Sequence, residues 1–308
     1  MPLNTAQLRH ESMGKAKQLR KLVERKGSIL VPGVYDALSA KIAERVGFEV
    51  IFHTGYGTAA SLLAQPDVGL VSFGEMIDRV TSICRAVNIP VICDADTGYG
   101  NAVNVHRTVR EYIWAGASGM IVEDQVWPKR CGHMTGKETV AREESLGKIR
   151  AAVDARDEVD LDVIIIARTD AIATEGLQEA ITRAKEFKKA GADIIFLEAP
   201  KSYEQLGEIS KQINAPMLLN QIERGATPLL PFDRAGQLGF KIVLYPLTSL
   251  YAAAKGVKDS LEYLKKKKTS EGFQNHLIPF GDFNKLVGYE EFHDLEMKYV
   301  PQKPQRSK

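Results

Sequence analysis

The organisation of this chain is clearest in residues 91–133, VICDADTGYGNAVNVHRTVREYIWAGASGMIVEDQVWPKRCGH. Two short apolar runs, 91–93 and 120–122, flank an amphipathic segment, and each run ends in acidic residues. Continuous apolar runs of this kind are typical of parallel strands that are buried on both faces. The segment therefore predicts a strand–helix–strand unit with carboxylates at the carboxyl ends of its strands.

Similar apolar runs recur along the whole chain, at residues 29–31, 50–52, 91–93, 120–122, 163–167, 194–197, 217–219 and 242–244. Amphipathic segments such as 37–46 and 176–190 lie between them. Eight strand–helix units in 308 residues are typical of a (β/α)8 barrel, with a doubly wound open sheet as the alternative. In a barrel, the residues that follow the strands share one face, and active sites lie there.

Both ends of the chain predict helical extensions of one barrel domain that spans residues 1–308. Residues 5–26 form a charged helical pattern that ends at Gly27, and they are interpreted as a lid or an interface element. After the eighth strand, residues 247–267 predict a long helix with an apolar stripe. We therefore expect one domain with two extensions rather than two domains.

The composition argues against several classes of function. Lys and Arg number 41 against 39 Asp and Glu, and a net charge of +2 favours neither nucleic acid nor a membrane as a partner. The three cysteines match no disulfide framework or zinc pattern, and Cys84 and Cys93 are predicted to be buried apolar residues. No long apolar run or signal-like segment is present. We predict a cytoplasmic protein with a small-molecule substrate.

Carboxylates follow two of the predicted strands. Asp94 and Asp96 come after the third run, and Glu123 comes after the fourth. Residues two apart on an extended chain point to one side, so Asp94 and Asp96 are expected to converge. A hard cation that prefers oxygen ligands relieves the repulsion among such carboxylates. The pattern predicts Mg2+, with Mn2+ as the alternative, whereas Asp67 or Asp170 alone is more typical of a helix cap.

The loop PKRCGHMTGK, residues 128–137, contains a further candidate for chemistry. Cys131 lies among Lys129, Arg130 and His133 in the sequence, and electropositive surroundings favour a thiolate for proton transfer or nucleophilic attack. His133 is either an acid/base partner of the thiol or a hydrogen-bonding strut. The sequence therefore predicts chemistry at Cys131.

Glycines follow the second predicted strand in Thr54-Gly55-Tyr56-Gly57. Their backbone N–H groups are suited to binding a substrate carboxylate, and a turn with positive φ explains the glycines equally well. Later strands are followed by Arg168, Glu198, Asn220, Pro246 and Thr248. In a barrel these residues belong to the same face as Asp94.

Six motifs together resemble the phosphoenolpyruvate mutase/isocitrate lyase superfamily: PGVYDALSA, CDADTGYG, VEDQ, PKRCGH, ARTDA and LYPLTSLYAA. The piece KRCGH is similar to the loop of the lyase branch, in which the cysteine is catalytic. The resemblance implies a (β/α)8 barrel whose last helix is exchanged between subunits. It also implies a homotetramer that is built as a dimer of dimers.

The resemblance implies roles for individual residues. Asp94 would bind Mg2+ directly or through water, and the water ligands would be held by Asp67, Asp96 and Glu123. Substrate contacts are assigned to Thr54, Gly55, Tyr56, Asp94, Lys129, Gly132, Arg168, Asn220, Pro246 and Thr248. Catalytic roles are assigned to Cys131, His133, Arg168 and Glu198.

The implied reaction is the Mg2+-dependent cleavage of the C2–C3 bond of a 2-hydroxy di- or tricarboxylate, with Cys131 protonating the carbanion. 2-Methylisocitrate would give pyruvate and succinate, and 2,3-dimethylmalate would give pyruvate and propionate. The loop from Trp127 to Val140 would close during this step.

Phe52 and Met134 stand where the resemblance implies tyrosine and arginine in methylisocitrate lyases. Substrate identity is therefore open between these two acids. The alternative activities are oxaloacetate hydrolase and a carboxyphosphonoenolpyruvate or phosphonopyruvate mutase or hydrolase. A further alternative is a binding protein without activity, because fold alone does not imply function.

Overall fold

The computed structural model describes residues 5–159 and 162–300, and side chains from residue 14 onward. Eight parallel strands follow one another around a closed barrel. They are β1 Ile29–Val34, β2 Ile51–His53, β3 Val91–Asp94, β4 Gly119–Glu123, β5 Ile164–Thr169, β6 Ile194–Leu197, β7 Met217–Asn220 and β8 Phe240–Tyr245. The pairing of β1 with β8, with Ile29 opposite Ile242, closes the sheet. The predicted barrel is confirmed, and the open-sheet alternative is wrong.

Helices alternate with these strands. They are α1 Thr5–Glu24, α2 Ala37–Val46, α3 Gly55–Thr58, α4 Phe73–Ala86, α5 Ala102–Ala115, α6 Arg142–Val159, α7 Ala171–Thr174, α8 Leu177–Lys189, α9 Tyr203–Gln212, α10 Phe232–Gln237, α11 Thr248–Lys267, α12 Phe280–Leu286 and α13 Tyr289–Tyr299. A π-helix spans Ala59–Leu63, and a 3-10 helix spans Gln274–His276. Local sequence explains both ends of α2. The helix begins after Asp36, whose side chain caps it by accepting a hydrogen bond from Ser39 N. It ends at Gly47, which has a φ of 101°.

The strands bury both faces because alternate residues belong to two different cores. One apolar cluster contains Phe52, Ile92, Ile121 and residues from the other strands, and it fills the barrel. The neighbouring strand residues, such as Ile51 and Cys93, join a larger cluster with the surrounding helices. Strands buried on both sides read as continuous apolar runs, which is why the sequence located them.

Helix α1 covers the amino-terminal end of the barrel. Leu19 is fully buried in the cluster that fills the barrel, and a Cβ on Gly119, the first residue of β4, would lie 3.1 Å from Leu19 Cδ2. Arg20 binds Asp193, which precedes β6, at 2.7 Å. A lid over the carboxyl ends of the strands is therefore wrong for this helix, because Leu19 packs at the opposite end of the barrel. The alternative that it is an interface element stays a prediction.

The described residues divide into two compact units, of which the first ends at Tyr251 and the second begins at Ala252. The first contains the barrel. The second contains most of α11 together with α12 and α13, and it exposes many large apolar side chains, including Leu261, Phe280 and Phe292. Within the described part of the chain, no helix combines the length and apolar character needed to cross a membrane.

Candidate active site

A cavity lies at the carboxyl ends of the strands. Its walls are formed by Phe52, Thr54, Tyr56, Asp67, Asp94, Ile121, Lys129, Cys131, Gly132, Arg168, Phe196, Glu198, Asn220, Ile222, Leu244, Pro246 and Leu247. The polar members follow different strands, so closure of the barrel brings together residues that lie far apart in the chain. Most of the residues predicted to contact substrate therefore share one space.

Asp94 is the last residue of β3, and two backbone N–H groups hold its carboxylate. Gly55 N donates to Oδ2 at 3.2 Å, and Asp96 N donates to Oδ1 at 3.1 Å. Asp96 itself has a left-handed backbone with φ 48°, a conformation that aspartate tolerates. The expectation of an extended chain through Asp96 is wrong, because the strand ends at Asp94 and a turn brings the second carboxylate back.

Lys129 lies between two of the predicted metal ligands. Its Nζ is 2.6 Å from Asp67 Oδ1 and 2.7 Å from Asp96 Oδ1, and its side chain is 4% exposed. Glu123 lies instead beside Arg168, with Oε2 3.1 Å from Nη1. Among residues 5–159 and 162–300, no three His, Cys, Asp or Glu side chains are arranged to hold a metal ion.

Two of these acidic groups, Asp94 and Glu123, nevertheless have raised pKa values. Burial and then repulsion from Asp96 raise the pKa of Asp94 to about 6. Burial raises the pKa of Glu123 well above its usual value, although Arg168 opposes the shift. Glu123 Oε1 is buried and, within the described structure, has no hydrogen-bond partner. Oxygen donors in this electrostatic state fit a hard divalent cation such as Mg2+.

Arg168 is a residue of β5, and two carboxylates contact its guanidinium. Besides Glu123, its Nε lies 2.8 Å from Asp170 Oδ2, and its guanidinium stacks over the ring of Phe196 at 5.2 Å. Burial opposes the charged form of Asp170, but Arg168 and Lys137 outweigh burial and lower the pKa of Asp170 to about 2. Asp170 occupies the cap position of α7 without any side-chain capping bond, so the helix-cap interpretation of this residue is wrong.

The cysteine loop is docked against the cavity. Gln125 braces it through two bonds to the backbone of Arg130, at 2.9 and 3.0 Å, and Cys131 N donates to the carbonyl of Asp67 at 3.0 Å. A Cβ on Gly132 would lie 2.3 Å from Glu198 Oε1, so only glycine allows this approach. The Cys131 side chain therefore reaches the cavity wall beside Gly132.

His133 bridges the loop to two other parts of the barrel. Its Nδ1 accepts a hydrogen bond from Ala226 N at 2.8 Å, and its Nε2 lies 3.1 Å from Glu198 Oε1. Glu198 accepts a hydrogen bond from Asn220 Nδ2 at 3.2 Å. The contact with Ala226 N assigns Nδ1 as the acceptor, and Nε2 is the nitrogen that lies toward the Glu198 carboxylate. This geometry favours the strut over the acid/base alternative.

The thiol of Cys131 is not activated by its surroundings. Burial raises its pKa to about 11, and the backbone N–H of His133 opposes the shift only in part. Lys129 lies close in sequence, but its charge is engaged by Asp67 and Asp96. The expectation of a thiolate is therefore wrong, and Cys131 is a protonated thiol at neutral pH.

Iodoacetamide is accordingly expected to alkylate Cys131 slowly near pH 8, because only the thiolate reacts. Because burial raises the pKa of the Cys131 thiol to about 11, the thiolate fraction stays small until the pH approaches that value. The rate should rise about tenfold per pH unit between roughly pH 8 and 10. Mass spectrometry of the labelled peptide measures it, and a plateau near pH 9 would contradict the prediction.

Gly55 and Gly57 start a short helix rather than a turn with positive φ. Thr54 Oγ1 caps this helix by accepting from Gly57 N at 3.2 Å, and neither glycine has a positive φ. A Cβ on Gly55 would lie 2.7 Å from Asp94 Oδ2, and one on Gly57 would lie 2.6 Å from Thr54 Cγ2. Close approach explains both glycines, so the positive-φ alternative is wrong.

Some residues differ from their predicted placement or were not predicted. Thr248 is exposed and donates to Glu223, so it lies outside the cavity wall. Apolar wall residues were missed, namely Ile121, Phe196, Ile222, Leu244 and Leu247. The signal was present, because Ile121, Phe196 and Leu244 each precede a predicted site residue by two positions, the spacing that places both on one face of a strand.

Comparisons with known proteins identify relatives over most of the chain. The phosphoenolpyruvate phosphomutase family matches residues 19–265. A 2,3-dimethylmalate lyase of Eubacterium barkeri is 46% identical over 288 residues, which cover 94% of this chain and 99% of that protein. A 2-methylisocitrate lyase of Aeropyrum pernix is 42% identical over 91% of this chain and 88% of its own length.

Solved structures of other enzymes have the same fold. An oxaloacetate acetylhydrolase in complex with 3,3-difluorooxalacetate superposes with a TM-score of 0.89 at 34% identity, covering 95% of this chain and 99% of that one. A phosphonopyruvate hydrolase in complex with oxalate and Mg2+ has a TM-score of 0.84 at 32% identity, covering 93% and 99%. The family indicated by the sequence motifs is confirmed, and the chain belongs to the phosphoenolpyruvate mutase/isocitrate lyase superfamily.

Proposed function

We propose that this protein is a Mg2+-dependent carbon–carbon lyase that cleaves 2,3-dimethylmalate to pyruvate and propionate. The position of Cys131 carries the proposal. Its protonated thiol lines the same cavity as Asp94 and Arg168. A proton donor, a candidate metal ligand and a cation for a carboxylate thus face one cavity, which is what cleavage of a 2-hydroxy acid requires.

The cavity wall suits a dicarboxylate with methyl groups better than a tricarboxylate. Among the described residues that form this wall, Lys129 and Arg168 are the cationic side chains, and both already pair with protein carboxylates. A third substrate carboxylate would be buried without a cation, which is unfavourable. Apolar side chains such as Phe196 offer contacts for methyl groups instead. 2-Methylisocitrate is the second candidate, because a 2-methylisocitrate lyase is 42% identical to this chain.

The substrate carboxylate next to the hydroxyl binds at the end of β2, where Thr54 and Tyr56 line the cavity beside Asp94. Arg168 faces the charge that develops as the bond breaks, and Asp170 fixes the orientation of its guanidinium. The 2-hydroxyl loses its proton, the C2–C3 bond breaks, and pyruvate forms. The bonding electrons pass to C3 of the propionate fragment.

Cys131 then donates its thiol proton to C3, and this completes propionate. The raised pKa keeps the thiol protonated until the carbanion forms. This leaves Cys131 as a thiolate, and the proton released from the substrate hydroxyl restores the thiol, so that protons balance over one turnover. We assign positioning roles to His133 and Glu198, because their contact ties the cysteine loop to the barrel. Gly132 and Lys129 hold the loop at the cavity. Pro246 and Asn220 complete the wall of the cavity.

In this proposal Asp94 would bind the metal ion, and Asp67, Asp96 and Glu123 would hold its water ligands. When bound, Mg2+ supplies the positive charge that lowers the pKa of the substrate hydroxyl. The unpaired Glu123 oxygen and the raised pKa of Asp94 support this assignment. Mn2+ has the same preference for oxygen ligands and is the alternative.

We further infer that the second unit serves subunit association in a homotetramer rather than a separate activity. Leu261 is 58% exposed, Phe280 83% and Phe292 68%, and apolar exposure on this scale marks a protein–protein contact. Sedimentation velocity tests the assembly, and a monomer would contradict it. The three free cysteines suit a reducing compartment, so we place the protein in the cytoplasm.

Product analysis by NMR tests the reaction and the substrate together. With Mg2+, 2,3-dimethylmalate is expected to give pyruvate and propionate, with kcat/KM about 100-fold above that for 2-methylisocitrate, because the latter leaves one carboxylate unpaired. EDTA should abolish turnover, and added Mg2+ should restore it.

Each alternative gives a different product in the same assay. Pyruvate and succinate from 2-methylisocitrate at the higher rate would replace the proposed substrate. Oxalate and acetate from oxaloacetate would identify a hydrolase. Turnover of phosphonopyruvate alone would identify phosphonate chemistry, and no turnover of any of these acids would contradict the proposed activity.

A further inference from the structure

Lys137 has a buried ammonium that the proposed reaction does not use. It lies in the cysteine loop, and its side chain is only 2% exposed. Its Nζ donates to Asp170 Oδ1 at 2.8 Å and to the carbonyl oxygen of Gly132. The Lys137 side chain therefore binds the backbone next to Cys131 and a carboxylate of the barrel at the same time.

The barrel side of this contact is fixed. Asp170 is fully buried, and its own N–H donates to Asp124 Oδ1 at 2.9 Å. Arg168 Nε and Nη2 also donate to the Asp170 carboxylate, at 2.8 and 3.2 Å. Asp170 is therefore anchored to barrel residues independently of the loop, and it offers Lys137 a preformed anionic site.

The loop side of the contact lies next to Cys131. Gly132 packs so closely that an added Cβ would lie 2.5 Å from Arg168 Nη2 and 2.3 Å from Glu198 Oε1. Its carbonyl is held by Lys137, and the Cys131 side chain is one peptide away. A small movement of this carbonyl would therefore move the thiol relative to the cavity.

We propose that Lys137 is a positioning residue that latches the cysteine loop shut, by joining the Gly132 carbonyl to the carboxylate of Asp170. The latch holds Cys131 against the cavity. It also keeps Cys131 close to Arg168, because Lys137 and Arg168 both bind Asp170. Its structural part is independent of the reaction. Its effect on turnover rests on the proposed function.

The test compares Lys137→Met with Lys137→Arg and with Glu138→Gln, a neighbouring exposed residue of the same loop. The readout is alkylation of Cys131 by iodoacetamide at one fixed pH, while Cys84 and Cys93 are buried. Lys137→Met should accelerate alkylation roughly 10- to 100-fold, the effect of losing a hydrogen bond to a charged group. Lys137→Arg should restore most of the protection, and Glu138→Gln should match the wild type.

The direction of the change in alkylation rate distinguishes opening of the loop from a purely electrostatic effect of the lost charge. Removing a positive charge near the thiol would by itself disfavour the thiolate and slow alkylation, whereas an opened loop speeds it. If Lys137→Met fails to fold, Lys137→Gln supplies the same comparison. Unchanged or slower alkylation in a folded variant would overturn the proposal.

Kinetics with 2,3-dimethylmalate provide the second readout. Lys137→Met should lower kcat by roughly 10- to 100-fold with a smaller change in KM, because Thr54 and Asp94 lie on the barrel and not on the loop. Faster alkylation without activity in the wild type would support the latch and contradict the proposed reaction. Wild-type activity with unchanged alkylation and kcat in the variant would contradict the latch alone.

Discussion

Replacement of Cys131 with serine is expected to lower kcat by roughly 100- to 10,000-fold, the contribution of a positioned general acid. A serine hydroxyl is a much weaker acid than a thiol, so it delivers a proton to the carbanion far more slowly. Thr54 and Asp94 are unchanged, and substrate binding should be retained. Steady-state kinetics measure the loss, and calorimetric titration with oxalate, a small dicarboxylate, measures binding.

Thr135→Ser, an exposed change in the same loop, is the matched control and should keep full activity. Full activity in Cys131→Ser would exclude the thiol as the acid. Loss of both turnover and oxalate binding would show instead that the substitution disrupts the site, and the proton donor would then have to be sought elsewhere in the cavity wall.

Replacement of Arg183 with methionine is expected to lower the free energy of unfolding by about 3–5 kcal/mol. The side chain is 2% exposed, and its Nη1 lies 3.1 Å from Asp124 Oδ2, whose own side chain is 1% exposed. Removing the guanidinium leaves a buried carboxylate without its cation, although Thr169 Oγ1 still donates to it at 2.6 Å. Chemical denaturation with urea measures the change.

Arg142→Met is the matched control. Like Arg183, Arg142 forms an ion pair, here with Glu179, but its side chain is 36% exposed. A partly exposed pair contributes at most about 1 kcal/mol, so this variant should remain close to the wild type. Adding Asp124→Asn to Arg183→Met should recover part of the stability, since it removes the uncompensated charge. Equal losses in the two arginine variants would contradict the argument.

The sequence located the barrel well because each strand is buried on both faces. All eight apolar runs correspond to strands, and the segment predicted as a helix at 37–46 has those bounds in the structure. The polar residues at the strand ends, including Asp94, Arg168 and Glu198, were predicted to share one face and do line one cavity. Their roles in the reaction stay a prediction.

The charge state of the site was not accessible from sequence patterns. The basic residues around Cys131 indicated a thiolate, but Lys129 points to Asp67 and Asp96, and burial keeps the thiol protonated. Spacing along the chain does not report which carboxylate a lysine reaches or how much water remains near a sulfur. For the same reason, the contact between Lys137 and Asp170 could not be predicted.

The sequence by itself determined the barrel and the set of polar residues at its carboxyl end, because burial and strand periodicity are local properties that repeat along the chain. Tertiary structure alone decided the ion pairs of Lys129 and Arg168, the protonated thiol of Cys131 and the position of α1. These features depend on distances and burial between distant segments, since Coulomb interactions and desolvation act through space rather than along the chain.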